Sequence, residues 1–156
     1  MQWKKVVIED QIFVKALWEF ADAYFAEIIS DKSVLNYFTS PKYRNEVIKY
    51  VKKEQIEIFT VFDSKIKAIC FFEKQDEKNV FLMEYCLAKD IRNQGYGKTL
   101  YYELEKYSFE HGYEKISLTP TSSGNRIFWE KVGFIPTGEI SSNGEEIFEK
   151  RIKQLI

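Results

Sequence analysis

The chain has 156 residues, 45% of them hydrophobic and 17% aromatic, with only 7 Gly and 3 Pro. That composition excludes disordered, collagenous and low-complexity classes and suits one globular domain over residues 1–156. Lys and Arg total 23 against 24 Asp and Glu, a net charge of −1, so no global field draws the protein to nucleic acid or to an anionic membrane.

Val6 to Ile8 reads as a short first strand. Its three aliphatics are too few for a signal peptide, and no apolar stretch in the chain approaches the roughly 18 residues of a membrane helix. Asp10 suits the N-cap of an amphipathic helix with Phe13, Leu17, Phe20, Tyr24 and Ile28 on one face. Ser40-Pro41 pairs an N-cap with proline at the first helical position of a second helix, whose stripe is Tyr43, Val47, Ile48 and Val51. The other face of that helix carries Lys42, Arg44, Lys49, Lys52 and Lys53 against Glu46, a basic surface read as a solvated face rather than a phosphate-binding patch.

From Ile56 the period shortens to that of strands. Ile56–Phe62 and Ile66–Phe72 form a hairpin around Asp63-Ser64, and Val80–Leu87 is so apolar that it belongs in the middle of a sheet. Glu84 is the one carboxylate inside that third run. Cys70 and Cys86 lie in these runs without metal-ligand spacing and read as reduced core thiols of a cytoplasmic protein. With a single histidine, His111, no zinc site and no other metal is expected. A helix with Gly97, Leu100, Tyr101, Leu104 and Tyr107 on its face ends at Gly112, and Ile116–Leu118 is a fourth buried strand. A short helix runs from Ser123 to Val132, and two last strands, Phe134–Ile140 and Glu146–Ile152, meet at Asn143-Gly144, a type I′ turn signal.

The segment from Leu87 to Thr99 lies between a buried strand and a helix start, where N–H groups and the positive end of the helix dipole converge. A nucleotide-triphosphate loop ends in Gly-Lys-Thr, as Gly97-Lys98-Thr99 does, but its first glycine would fall on Arg92. A dinucleotide fingerprint would need glycine at Leu100. What fits is Arg-x-x-Gly-x-Gly, here Arg92-Asn93-Gln94-Gly95-Tyr96-Gly97, after a strand ending Glu84-Tyr85-Cys86-Leu87-Ala88.

This loop resembles the coenzyme-A loop of the GNAT acyltransferase superfamily. Phe128-Trp129-Glu130-Lys131-Val132-Gly133-Phe134 is similar to the family's aromatic-Glu-Lys-aliphatic-Gly-Phe segment. The element order agrees across residues 3–152. The resemblance implies an α/β (α+β) fold, a mixed and mostly antiparallel sheet of about seven strands flanked by about four helices, in the order β-α-α-β-β-β-α-β-α-β-β. It implies an N-acetyltransferase that takes acetyl-CoA as co-substrate and an amine as acceptor, acting as a monomer or homodimer. The pyrophosphate would be held by backbone N–H groups from Gln94 to Lys98, through Gly95, Tyr96 and Gly97, with Arg92 and Asn93 in the same loop. The pantetheine would lie along Leu87 and Ala88 like an added strand, and Asn125, Phe128 and Trp129 would stand beside the coenzyme.

Transfer to an amine calls for a base, because an amine of pKa about 10.4 is neutral in only about one molecule in a few thousand at pH 7. Glu84, set in an apolar strand just before the loop, is the candidate. Relatives commonly place a tyrosine at Trp129 to protonate the departing thiolate, and an indole cannot transfer that proton. Tyr85, Tyr96 and Ser123 are substitutes to be considered, and the reading of Trp129 itself is a packing ring. The missing tyrosine also motivates an alternative, a non-catalytic acyl-CoA sensor. Phe20, Tyr24, Phe25, Tyr37, Phe38 and Tyr43 could line an aromatic acceptor pocket for a small amine or a peptide amine, although most suit a core.

Overall fold

Side-chain oxygens decide where the N-terminal helices begin. The computed structural model of the protein describes residues 1–120 and 123–152, without the side chains of Ser123 and Gly124. Asp10 caps α1 (Gln11–Ile28), its carboxylate accepting from the Phe13 N–H at 3.1 Å. The next helix, α2 (Lys32–Phe38), is capped by Asp31, which accepts from the Ser33 and Val34 N–H groups at 2.9 and 3.2 Å. Periodicity gives no warning of α2 because it buries no residue and so carries no apolar stripe. Ser40 caps α3 (Pro41–Lys52), accepting from the Tyr43 N–H at 3.3 Å with Pro41 in the first turn. Both predicted caps stand where a helix-start side chain must accept an orphan N–H.

Two expectations in this region are corrected. The first strand, β1, is Trp3–Lys5 rather than Val6–Ile8, with Trp3 opposite Val61 and Lys5 opposite Phe59. Val6 adds one more bond, to the Ile58 carbonyl at 2.8 Å, before a turn closed by Asp10 N–H on Val7 O at 3.1 Å takes the chain into α1. The buried face of α1 is Leu17, Trp18, Ala21 and Phe25. Of the predicted stripe only Leu17 is buried, and Ile28 is exposed. Apolar residues cover more than half of this helix's circumference, so periodicity alone leaves its inner face undecided.

The strands are β2 (Ile56–Asp63), β3 (Lys65–Lys74) and β4 (Asn79–Leu87), then a 3-10 turn at Lys89–Ile91 and α4 (Tyr96–Glu110). The chain continues with β5 (Lys115–Leu118), α5 (Ser123–Lys131), β6 (Ile135–Ile140) and β7 (Glu146–Arg151). Strand order is β1-β2-β3-β4-β5-β7-β6, so β4 is central, as its apolar run predicts. The β4–β5 pair is parallel, while β1–β2, β5–β7 and β6–β7 are antiparallel. This is the expected mixed α/β fold, with five α-helices among the described residues instead of about four.

Contacts group the chain into two compact units. Residues 1–71 with 84–97 form the first, in which Trp18 meets Phe71 edge-on at 5.9 Å and Tyr43 at 6.3 Å. Full burial of a ring such as Phe25 or Phe71 stabilises by roughly 1.5–3 kcal/mol. Cys70 and Cys86 are free thiols with no exposed surface, as core thiols should be. On α3, Arg44 pairs with Asp22 and lies over the Trp18 ring, which takes one charge out of the basic face.

The second unit comprises residues 72–83 and the chain from Lys98 onward. Its core includes Tyr101, Leu104, Ile116, Phe134 and Phe148. The β6–β7 connection is not the predicted type I′ turn. Gly144 donates to the Ser141 carbonyl at 2.9 Å, and φ is positive at Gly144 (+87°) but not at Asn143. Asn143 instead uses its side-chain oxygen to accept from Ser141 Oγ and from the Glu145 N–H.

Past α5 the chain turns through Gly133 at φ +104°, where a Cβ would stand 2.9 Å from Lys150 Cε. Lys150 cannot easily yield, because its Nζ donates to the Val132 carbonyl and to Glu105, each at 2.6 Å, and sits over the Tyr101 and Tyr102 rings. Gly133→Ala is therefore expected to cost about 2–3 kcal/mol, adding left-handed backbone strain to displacement of the ammonium. A thermal melt followed by circular dichroism should show Tm lower by roughly 4–12 °C; an unchanged melt would mean that the turn relaxes without cost.

Candidate active site

Alternation along β4 separates two sets of side chains. Val80, Leu82 and Cys86 are buried, and Glu84 shares their face as a half-buried carboxylate. The groups that feel its charge identify what surrounds it. Burial foremost, and Glu84 among the neighbouring charges, pushes up the pKa of Tyr24 on α1, Tyr43 on α3, Cys70 on β3 and Cys86. All four stay protonated, so Glu84 acts on phenols and thiols held neutral, with Glu57 also acting on Cys70 and Glu27 and Arg92 on Tyr24. Tyr24 and Tyr43 are correspondingly poor acids toward a coenzyme thiolate of pKa about 8.5. The Tyr43 hydroxyl is buried without a hydrogen-bond acceptor or donor among the described residues.

The opposite face of β4 carries Tyr85, whose ring lies 6.0 Å from that of Trp3 and whose hydroxyl donates to the Gly97 carbonyl at 2.5 Å. Its proton is thus committed to holding the start of α4. Pairing of β4 with β5 ends at Phe81, although β4 runs on to Leu87. The chain then leaves the strand with the Ala88 N–H on the Lys67 carbonyl at 2.7 Å.

The loop that follows is built by short-range contacts. Ile91 is buried, and the Gln94 side-chain amide donates to the Asp90 carbonyl at 2.8 Å. Asn93 and Gly95 both take positive φ, +59° and +87°. Around Gly95 there is open space for a Cβ, so the glycine answers a backbone requirement rather than a steric one. Helix α4 begins at Tyr96 with no acid in its first turn. The first-turn N–H groups of Tyr96, Gly97 and Lys98 have no acceptor within the helix, and the positive end of its dipole is left to attract an anion.

Arg92 departs from the role its sequence position suggests. Its Nε donates to the Leu87 carbonyl at 2.8 Å, and its two terminal nitrogens meet the Glu27 carboxylate at 3.0 and 2.7 Å. Sequence reasoning missed Glu27. It lies 65 residues before Arg92, and no local pattern links such positions.

In the second unit Asn125 and Phe128 are half-buried, and Trp129 is 4% exposed. The Trp129 ring stacks on Phe128 at 4.8 Å and meets Phe134 and Tyr101 edge-on at 5.3 and 5.6 Å. That is the environment of a packing ring. Tyr96 is exposed, and the side chain of Ser123 lies outside the described residues.

The sequence model of the acetyltransferase (GNAT) family matches residues 16–134. The chain belongs to the GNAT acetyltransferase family. This GNAT chain is similar in fold to the PaiA N-acetyltransferase from Thermoplasma acidophilum in complex with coenzyme A, with 22% identity, TM-score 0.77, and 96% of this chain and 98% of that one covered. It is also similar to an aminoglycoside 6′-N-acetyltransferase complexed with coenzyme A, with 13% identity, TM-score 0.73, and 100% and 99% covered. The aminoglycoside 6′-N-acetyltransferase from Enterococcus faecium gives 15% identity, TM-score 0.74, and 100% and 99% covered. Among curated protein sequences none is significantly similar. As a GNAT member the protein is an acetyl-CoA-dependent N-acetyltransferase. No described helix is long and apolar enough to cross a membrane.

Proposed function

We infer that residues 1–156 act as one catalytic domain that passes the acetyl group of acetyl-CoA directly to an amine of a small molecule or peptide, in a ternary complex in the cytoplasm. The observation that carries this reading is Glu84, a half-buried carboxylate whose charge acts on phenols held neutral, on the strand that leads into the glycine loop. In the reaction the new C–N bond forms as the C–S bond breaks, and the proton that leaves the amine passes to Glu84. The thiolate takes its proton from water. The first-turn N–H groups of α4, with Gln94 and Gly95 before them, suit the coenzyme pyrophosphate, and the β4 edge at Leu87 and Ala88 suits its pantetheine arm. Asn125 and Phe128 are assigned to the coenzyme on the family resemblance.

Trp129 transfers no proton in this scheme. Trp129→Phe, which keeps an aromatic ring within the Tyr101–Phe128–Phe134 cluster, should leave turnover within a few-fold of wild type. A much larger loss with intact folding and coenzyme affinity would give the indole N–H a role in the reaction. The proposal as a whole is tested by incubating the protein with acetyl-CoA and a panel of small amines and peptides while following release of free coenzyme thiol. Amine-dependent release supports it. Tight coenzyme binding with no release across the panel would favour a sensor instead.

A further inference from the structure

Arg92 has the position in the Arg-x-x-Gly-x-Gly loop from which a cation could reach a phosphate, yet its guanidinium is engaged elsewhere. Three of its nitrogens are used: Nε on the Leu87 carbonyl at 2.8 Å, and the terminal pair on the two Glu27 oxygens at 3.0 and 2.7 Å. The guanidinium also lies 5.6 Å from the centre of the Tyr24 ring, one turn back along α1 from Glu27. Lys89 adds a second cation to Glu27 at 3.4 Å. On the other side of the same turn, Asp90 is held by Lys67 of β3 at 2.5 Å, with Lys65 at 4.0 Å. The loop is therefore strapped at both sides before it reaches Asn93 and Gly95, whose positive φ values aim the backbone that follows.

We propose that Glu27 is a positioning residue for coenzyme binding, holding Arg92 so that Arg92 fixes the Leu87 carbonyl and the exit of the loop from β4, and that Arg92 serves the coenzyme through this strap rather than as a ligand of its phosphates. A two-pronged contact of this kind is worth more than an exposed ion pair, because the fork fixes geometry as well as charge. Both side chains are partly shielded, 25% exposed for Glu27 and 32% for Arg92. In keeping with the pairing, the Arg92 contact holds the Glu27 carboxyl below its ordinary range. Preset backbone N–H groups bind an anion without the ordering that a mobile loop would require on binding.

The inference rests on the loop being the coenzyme site, and the experiment separates the two. Coenzyme A affinity is measured by calorimetry for the wild type, Glu27→Gln, Arg92→Lys, Arg92→Ala and the double variant Glu27→Gln/Arg92→Ala, at a temperature well below each variant's melting transition. Glu27→Gln should weaken binding roughly 5- to 20-fold, and the double variant should match Arg92→Ala within about twofold, since both substitutions cut one strap. Arg92→Lys should be nearly as poor as Arg92→Ala because a lysine lacks the fork. In steady-state kinetics the Glu27→Gln loss should fall on the KM for acetyl-CoA rather than on kcat or on the acceptor KM, a split that general damage to the fold would not produce. The opposite sign overturns the proposal. If Arg92 were a phosphate ligand with Glu27 as its competitor, Glu27→Gln would tighten binding, and Arg92→Lys would hold wild-type affinity. Unchanged affinity in Glu27→Gln also overturns it. A wild type that fails to bind coenzyme A would instead overturn the assignment of the loop.

Discussion

Gly97→Val is expected to abolish coenzyme A binding, with affinity falling by roughly 100-fold or more, the loss of about two charge-assisted N–H bonds at 1.5–3 kcal/mol each. Gly97 is the second residue of α4, in the turn whose N–H groups have no acceptor within the helix. A branched side chain there would stand beside the N–H groups that an anion must approach. Its carbonyl also receives the Tyr85 hydroxyl, so any shift of the helix start is opposed from β4. Calorimetry on a variant shown by circular dichroism to be folded decides the matter. Wild-type affinity in the valine variant would remove the loop from the coenzyme site altogether.

Glu84→Gln carries the other large effect. It keeps the shape of the side chain and removes the base, so kcat should fall 10- to 1,000-fold while coenzyme affinity hardly changes. The surroundings make replacement of the base difficult. Tyr24, Tyr43, Cys70 and Cys86 are all pushed up and stay protonated, so none of them can take a proton in the neutral range. The deficit should shrink as pH rises toward the amine's own pKa of about 10.4, where the nucleophile is already neutral. A variant that matches the wild-type rate from about pH 6 to pH 9 would place proton removal at another group.

Much of this could be read before any coordinates. Asp10 and Ser40-Pro41 announced helix starts because capping is a contact over three residues. The runs around Cys70 and Cys86 announced buried strands because side-chain alternation and β-propensity are local. Arg92-x-x-Gly95-x-Gly97 announced the family, because a glycine loop before a helix is a local device. The failures share a different character. Both rows of α1 are apolar, and only packing against Phe71 and Tyr43 chose Trp18 and Phe25 for the inside. Asn143-Gly144 carried the signal of a tight turn, but the Asn143 side chain found Ser141 and Glu145, and the backbone followed a different course.

By itself, then, the sequence determined the order of most elements, the central strand with its single carboxylate, and the family, because each depends on residues a few positions apart. The tertiary structure alone decided which groups feel the charge of Glu84 and what Arg92 holds. Glu27 stands 65 residues from Arg92, and Tyr24 and Tyr43 feel the charge of Glu84 from two different helices. Such meetings follow from how whole helices pack on a sheet, a sum over many weak contacts that no short stretch of chain encodes.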